Sequence, residues 1–182
     1  MNKFRNYHKG ELGFVCSNGE YFNNININKL YGYPIFITDI ALLKKVAASY
    51  YVTHSSFFES KDFEQFKFIY NVKIINVEYV NNYKFKLEAG KPFFQTDINK
   101  PIWNSGSSLF TAIQLTYFMG INPVILVGLD YDSNLINSPL ELALSLANDE
   151  FNKDERYIYN ASSLTRLSYN IIPKISLDIF KD

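Results

Sequence analysis

The stretch NSGSSLFTAIQLTYFMGINPVILVGLDYD, Asn104 to Asp132, decides the fold. A Ser-Gly-Ser turn leads into an apolar segment with Leu109, Ile113, Leu115 and Phe118 on helical spacing. Ser105 or Ser107 can cap that segment, which predicts a partly buried helix from about Ser108 to Met119, stopped by Gly120. Pro123 to Asp130, PVILVGLD, is then a continuous apolar run of strand length, as a strand buried on both faces requires. A helix feeding such a strand is one half of a parallel α/β unit.

The same alternation extends outward. LGFVC, Leu12 to Cys16, reads as a strand entering a tight turn at Ser17-Asn18-Gly19. NNININKLYGY offers a turn or short helix. PIFITDI, Pro34 to Ile40, is a second strand, followed by a helix from about Ala41 to Ser49. YYVT, Tyr50 to Thr53, is a third strand. KDFEQFKFIY carries helical spacing, and VKIINVEYV is a fourth strand. The region around 81–103, with Gly90, Pro92 and Pro101, reads as an irregular surface connection. SPLELALSLAND predicts another helix, RYIYNAS a last strand, and ISLDIFKD a short terminal helix. The expected fold is α/β: one Rossmann-like domain over 1–182, its mainly parallel sheet flanked by helices.

Composition narrows the partners. Eighteen basic and eighteen acidic side chains give a formal net charge of zero, which argues against nucleic acid. One cysteine, Cys16, inside an apolar run, excludes an internal disulfide and a cysteine zinc site and reads as a buried, inert thiol. No apolar stretch approaches the ~20 residues that span a bilayer, so a cytoplasmic protein without membrane insertion is expected. His8, close to the N-terminus, is expected at the surface. Homo-oligomerisation is left open.

In open α/β sheets ligands bind beyond the carboxyl ends of the strands. Ser17 to Glu20, Thr38-Asp39, Thr53 to Ser56 and Gly128 to Asp132 all fall there. The turn Asn104 to Ser107 opens a helix whose N–H groups suit an anion. A ligand phosphate at that turn, with Asp130 and Asp132 nearby, is therefore expected. The turn SNG lacks the G-x-G-x-x-G spacing, and no Walker lysine is present. Asn160 in YNAS fits a glycosylation pattern, which in a cytoplasmic chain reads as chance.

The order of these pieces resembles the family 42 sialyltransferases and the related domain-of-unknown-function 115 proteins. KGELGFVCSNGEYFNNININKL is similar to their opening strand and Asn-Gly turn, YGYPIFITDIAL to their second strand and ASYYVTHSS to their third. The Ser-Gly turn, Ala112-x-Gln114-Leu115-x-Tyr117-x-x-Gly120 and Val127-Gly128-x-Asp130 resemble their core, and YIYNASSLTRLSYNIIPKISLDIF their tail. The resemblance implies a metal-free transfer from a CMP-linked sugar to a glycan acceptor on a bacterial surface. It also implies Asn18, Gly19, Ser105 and Gly106 on nucleotide and phosphate, with Gly128 and Asp130 beneath the nucleotide and Tyr131 on the phosphate.

The chain departs from the pattern at Glu20-Tyr21, in place of Pro-Ser, and at Asp39, in place of Asn. It has no histidine beyond His54 to serve as the base found after the family's Gly-x-Asp strand. Asp130, Asp132 and His54 are then the candidates for deprotonating the acceptor, with Asp39 close to it. Distant relatives are pterin pyrophosphokinases using ATP and magnesium, for which Asp130 and Asp132 would be oxygen ligands. A non-catalytic nucleotide-binding member is the third alternative.

Overall fold

The computed structural model of this chain describes residues 2–53, 73–76, 87–103, 105, 107–130 and 139–180. Its elements, in chain order, are β1 (Gly13–Cys16), β2 (Ile35–Ile37), β3 (Tyr50–Thr53), β4 (Lys73–Asn76), β5 (Leu87–Glu88), β6 (Ile102–Trp103), α1 (Ser108–Phe118), β7 (Val124–Val127), α2 (Pro139–Lys153) and β8 (Ile158–Asn160). Six strands form one sheet in the order β4-β3-β2-β1-β7-β8, and every neighbouring pair is parallel. β5 and β6 make a separate two-stranded pair inside the expected irregular region.

The continuous apolar runs become central strands because both faces of the sheet are covered. Val15, Phe36, Tyr50, Val52, Val124 and Leu126 pack under α1 and α2. Phe14, Cys16, Ile35, Ile37, Tyr51, Ile125 and Val127 face the other way, against Phe22, Leu30, Leu42 and Leu177. That second layer is made of 3-10 turns, Glu20–Asn24, Ile27–Leu30, Ile40–Lys44 and Leu177–Ile179.

Three expectations are corrected. The helix over Ala41 to Ser49 is the single 3-10 turn Ile40–Lys44, because Ser49 N already bonds Ile35 O at 2.9 Å and the chain must enter β3. The terminal helix is likewise the 3-10 turn Leu177–Ile179. α1 is buried all round from Leu109 to Phe118 rather than partly buried. It lies between the sheet, α2 and the 93–103 segment, where Phe94 and Trp103 meet Phe110 edge-on. The expected helix over KDFEQFKFIY lies outside the described residues.

Gly120 closes α1 as expected, with φ +82. A methyl group there would lie 2.9 Å from Lys9 Cα, since the N-terminal segment docks on this helix end. Asn6, His8 and Gly10 donate their N–H groups to the carbonyls of Phe118, Met119 and Gly120. Among the described residues no helix is long and apolar enough to cross a membrane.

Candidate functional site

β1 and β7 lie side by side in the middle of the sheet. The chain leaves β1 toward β2 and leaves β7 toward β8, so the loops after them diverge. This is the topological switch point at which open parallel sheets hold ligands. Ser17 N donates to Val127 O at 2.8 Å, so the two loops start in contact. Gly128 has φ +74, and a side chain there would collide with the carbonyl of Ser17. Gly19 has an ordinary backbone, but a methyl group on it would meet the carbonyl of Gly128 and lie 2.5 Å from Asp130 Oδ2. Two missing side chains thus let the loops interlock.

Asp130 is held in that joint. Its Oδ2 accepts from Tyr21 N at 2.8 Å. Its Oδ1 is buried and has no partner among the described residues. Buried carboxylate oxygens normally find donors, so this one is a ready acceptor for a ligand. The Tyr21 hydroxyl is held above its ordinary range, by burial first and then by the charges of Asp178 and Asp130. Beside it, Thr38 Oγ1 lies 3.3 Å from both Cys16 O and Ser17 Oγ.

The other sequence candidates divide clearly. Asn18 is exposed in the β1 loop at the same edge. Asp39 Oδ1 accepts from Ala41 N at 2.8 Å and caps a 3-10 turn. α1 ends where β7 begins, so its first turn points to the carboxyl edge. Ser107 is its cap, 3.5 Å from Phe110 N, and Ser105 Oγ accepts from Ser107 N at 3.3 Å. His54, Gly106, Tyr131 and Asp132 lie outside the described residues.

His8 is not at the surface as expected. Its side chain is 15% exposed, with Nε2 2.9 Å from the Tyr50 hydroxyl and Nδ1 3.0 Å from Glu11 Oε2. Tyr50 opens β3, so His8 belongs to the opposite edge. Cys16 is fully buried, and burial pushes its thiol far above the usual range, so it is inert as expected.

The sequence reading missed Ser162, and it took Asn160 only as a chance glycosylation pattern. Both are 1% exposed; Asn160 ends β8 and Ser162 lies in the turn after it, beside the β7 loop. Ser162 Oγ accepts from Leu129 N at 2.7 Å. The available signal was two polar residues at a strand's carboxyl end.

A cavity of about 370 Å³ opens at the opposite edge, lined by Arg5, Asp97, Tyr117, Glu150, Asp154 and Arg156 among others. Its guanidinium groups are engaged. Arg5 pairs with Asp97 at 2.9 Å, and Arg156 donates to Tyr117 O and Ile121 O at 2.9 and 2.7 Å. Among the described residues no group of three or more His, Cys, Asp and Glu side chains gathers as a metal site.

No protein-family model matches the chain, and no curated protein matches it. Among solved structures it is similar to the sialyltransferase CstII from Campylobacter jejuni in complex with the substrate analogue CMP-3FNeuAc. That match has a TM-score of 0.59 at 14% identity, over 94% of this chain and 88% of the other. The same enzyme in complex with cytidine-5'-monophosphate gives 0.58 at 13% identity, over 92% and 87%. At such identity the likeness is one of fold. It is to a sialyltransferase, and nothing in it points to the domain-of-unknown-function 115 proteins.

Proposed function

We propose that this chain, with the fold of a sialyltransferase, is a glycosyltransferase that takes a nucleotide-activated sugar, CMP-linked, and transfers it to a bacterial surface glycan. The observation that carries this is the interlocked pair of loops at the β1–β7 switch point, where Asp130 keeps one buried oxygen without a partner among the described residues. The structural neighbours were solved with CMP and with a CMP-sugar analogue, which supports a cytidine nucleotide over others.

In this mechanism Asn18 and Gly19 border the nucleotide, while Ser105 and Gly106 present donors to the phosphate. Tyr131 is a second phosphate contact. The sugar leaves from a phosphate oxygen, so N–H groups at the start of α1 stabilise the departing charge. Asp130, Asp132 and His54 are the groups offered to deprotonate the acceptor hydroxyl. Asp39 lies on the acceptor side of that edge, with one oxygen on Ala41 N and the other open.

The test is thermal stabilisation by CMP, CDP, UDP, GDP and ATP, each with and without magnesium. Ligand at ~100 times its dissociation constant adds about 2.7 kcal/mol, which raises the melting temperature of a chain this size by about 5–11 °C. A metal-independent rise with CMP is expected. A rise only with ATP and magnesium would replace this proposal with a pyrophosphokinase, and no rise with any nucleotide would sink it.

A second function is favoured by one observation. Only two histidines exist, and His8 is committed at the opposite edge. A protein that binds CMP-sugar without turning it over fits that shortage, and release of CMP from a CMP-sugar by the purified chain would rule it out.

A further inference from the structure

The end of β8 and the turn after it hold the loop that carries Asp130. The β7–β8 ladder ends where Ala161 N donates to Leu126 O at 2.8 Å. Beyond it Gly128 swings the chain out of β7 with φ +74, which leaves Leu129 N buried and without a strand to pair with. Ser162 Oγ supplies the missing acceptor at 2.7 Å. Ser162 is itself fixed, because its N–H donates to Asn160 Oδ1 at 3.0 Å. Leu129 is the residue between Gly128 and Asp130. So Asn160 shapes the turn, Ser162 grips Leu129, and Leu129 sets the point from which Asp130 departs.

Four buried side-chain polar atoms lack a partner among the described residues, and two belong to this relay: Asp130 Oδ1 and Asn160 Nδ2. Buried groups are rarely left so, and a relay that ends in an unspent acceptor is arranged for something the protein does not itself provide. We infer that Ser162 is a positioning residue of the nucleotide site. By holding Leu129 N it keeps Asp130 with Oδ2 on Tyr21 N and Oδ1 offered to a hydroxyl or amine of the nucleoside. This rests on the nucleotide-binding function proposed above.

The experiment is a double-mutant cycle read as CMP affinity by calorimetry, with the melting temperature of the free protein alongside. The set is wild type, Ser162→Ala, Asp130→Asn and the double variant. Ser162→Ala weakens CMP about tenfold in the wild-type background and less than about twofold in the Asp130→Asn background, because the effect passes through that carboxylate. A serine that only holds the fold would lower the melting temperature and leave CMP affinity alone, which overturns the inference. The same tenfold loss in both backgrounds overturns it too.

Wild type that binds no CMP sinks the nucleotide function and takes this inference with it, whereas binding wild type with an indifferent Ser162→Ala sinks this inference alone. Should Ser162→Ala fail to fold, hydrogen exchange of the Leu129 amide decides without any variant. Saturating CMP must slow that exchange at least about threefold beyond the global stabilisation, and an unchanged ratio refutes the relay.

Discussion

Substituting Gly19 by Ala tests whether the β1 and β7 loops interlock as described. Gly19 has φ −78 and ψ 166, an extended conformation that alanine adopts freely. The substitution therefore carries no backbone strain, and its whole cost is contact. The added methyl would lie 2.5 Å from Asp130 Oδ2, 2.8 Å from Asp130 Cγ and against the carbonyl of Gly128. The Gly128 carbonyl is backbone and cannot swing aside, and the Asp130 carboxylate is tied by its bond from Tyr21 N. The loops must part by about 0.5 Å before even the carboxylate contact reaches 3.0 Å. Overpacking of this kind costs about 1–3 kcal/mol, partly offset by about 0.4–1 kcal/mol from the stiffer unfolded chain. The net loss of about 1–2 kcal/mol lowers the melting temperature by about 2–8 °C.

Moving Asp130 also displaces the oxygen proposed to face the ligand, so CMP affinity is expected to fall by about tenfold or more, beyond what stability explains. Gly32→Ala is the control: φ is +86 but nothing lies within 4 Å, so only backbone strain applies and CMP binding is unaffected. Calorimetry and urea denaturation on the three proteins settle it. A Gly19→Ala protein as stable as wild type, with the same CMP affinity, would mean that the two loops do not meet, and the site as built here would be wrong.

Two further outcomes are expected away from the site. Arg156 is held over the Tyr117 and Phe151 rings at 4.2 and 4.9 Å while its two terminal nitrogens bond the carbonyls of Tyr117 and Ile121. A lysine reproduces neither the fork nor the stacking, so Arg156→Lys loses about 1–3 kcal/mol in urea denaturation, and a loss below about 0.5 kcal/mol would refute the contribution of these bonds. The Tyr50 and Tyr117 hydroxyls are held above their ordinary range, first of all by burial and, for Tyr117, next by its bond to Asp154. The unfolded chain releases those protons first, so stability is complete below about pH 10 and falls as pH rises beyond it. Tyr117→Phe makes that decline shallower, and a urea midpoint flat to about pH 11 would contradict the burial of both hydroxyls.

The strands were legible because the central ones are buried on both faces. VILV of β7 and GFVC of β1 carry no polar side to mislead the eye. α1 was harder. Thr111, Gln114 and Thr116 look like the start of a wet face. In the structure Thr111 and Thr116 turn their hydroxyls back onto Ser107 O and Ile113 O, and Gln114 Oε1 accepts from Gln95 N. Self-satisfied hydroxyls can be buried at little cost, so polarity alone did not mark the surface. The 3-10 turn in place of the Ala41 to Ser49 helix has a different origin. Leu42, Leu43, Val46 and Ala48 have a spacing that suits a helix, and all four are buried. The length of the element was set by where β3 must begin, which is information about the sheet and not about the segment.

The site divides along the same line. Gly128 and Asp130 are legible as a strand end, and their meeting with Gly19 follows once β1 and β7 are known to pair. Ser162 could not be weighed from its own neighbourhood, because its partner, Leu129, is contributed by the loop after the adjacent strand, and Asn160 acts only through Ser162. The two carboxylates at strand ends show what sequence leaves undecided. Asp39 and Asp130 both follow apolar runs, and either could face a ligand. Asp39 gives Oδ1 to the N–H of Ala41, two residues on, the local bond for which aspartate is favoured at the start of a turn. Asp130 reaches instead across 109 positions to Tyr21 N, and its other oxygen is buried without a partner among the described residues. A carboxylate engaged by its own turn stabilises that turn whether or not a ligand comes. One that reaches across to a foreign loop, with one buried oxygen left without a partner among the described residues, has acceptor capacity that the described fold does not use. That difference makes Asp130 the first residue to substitute in any search for the ligand.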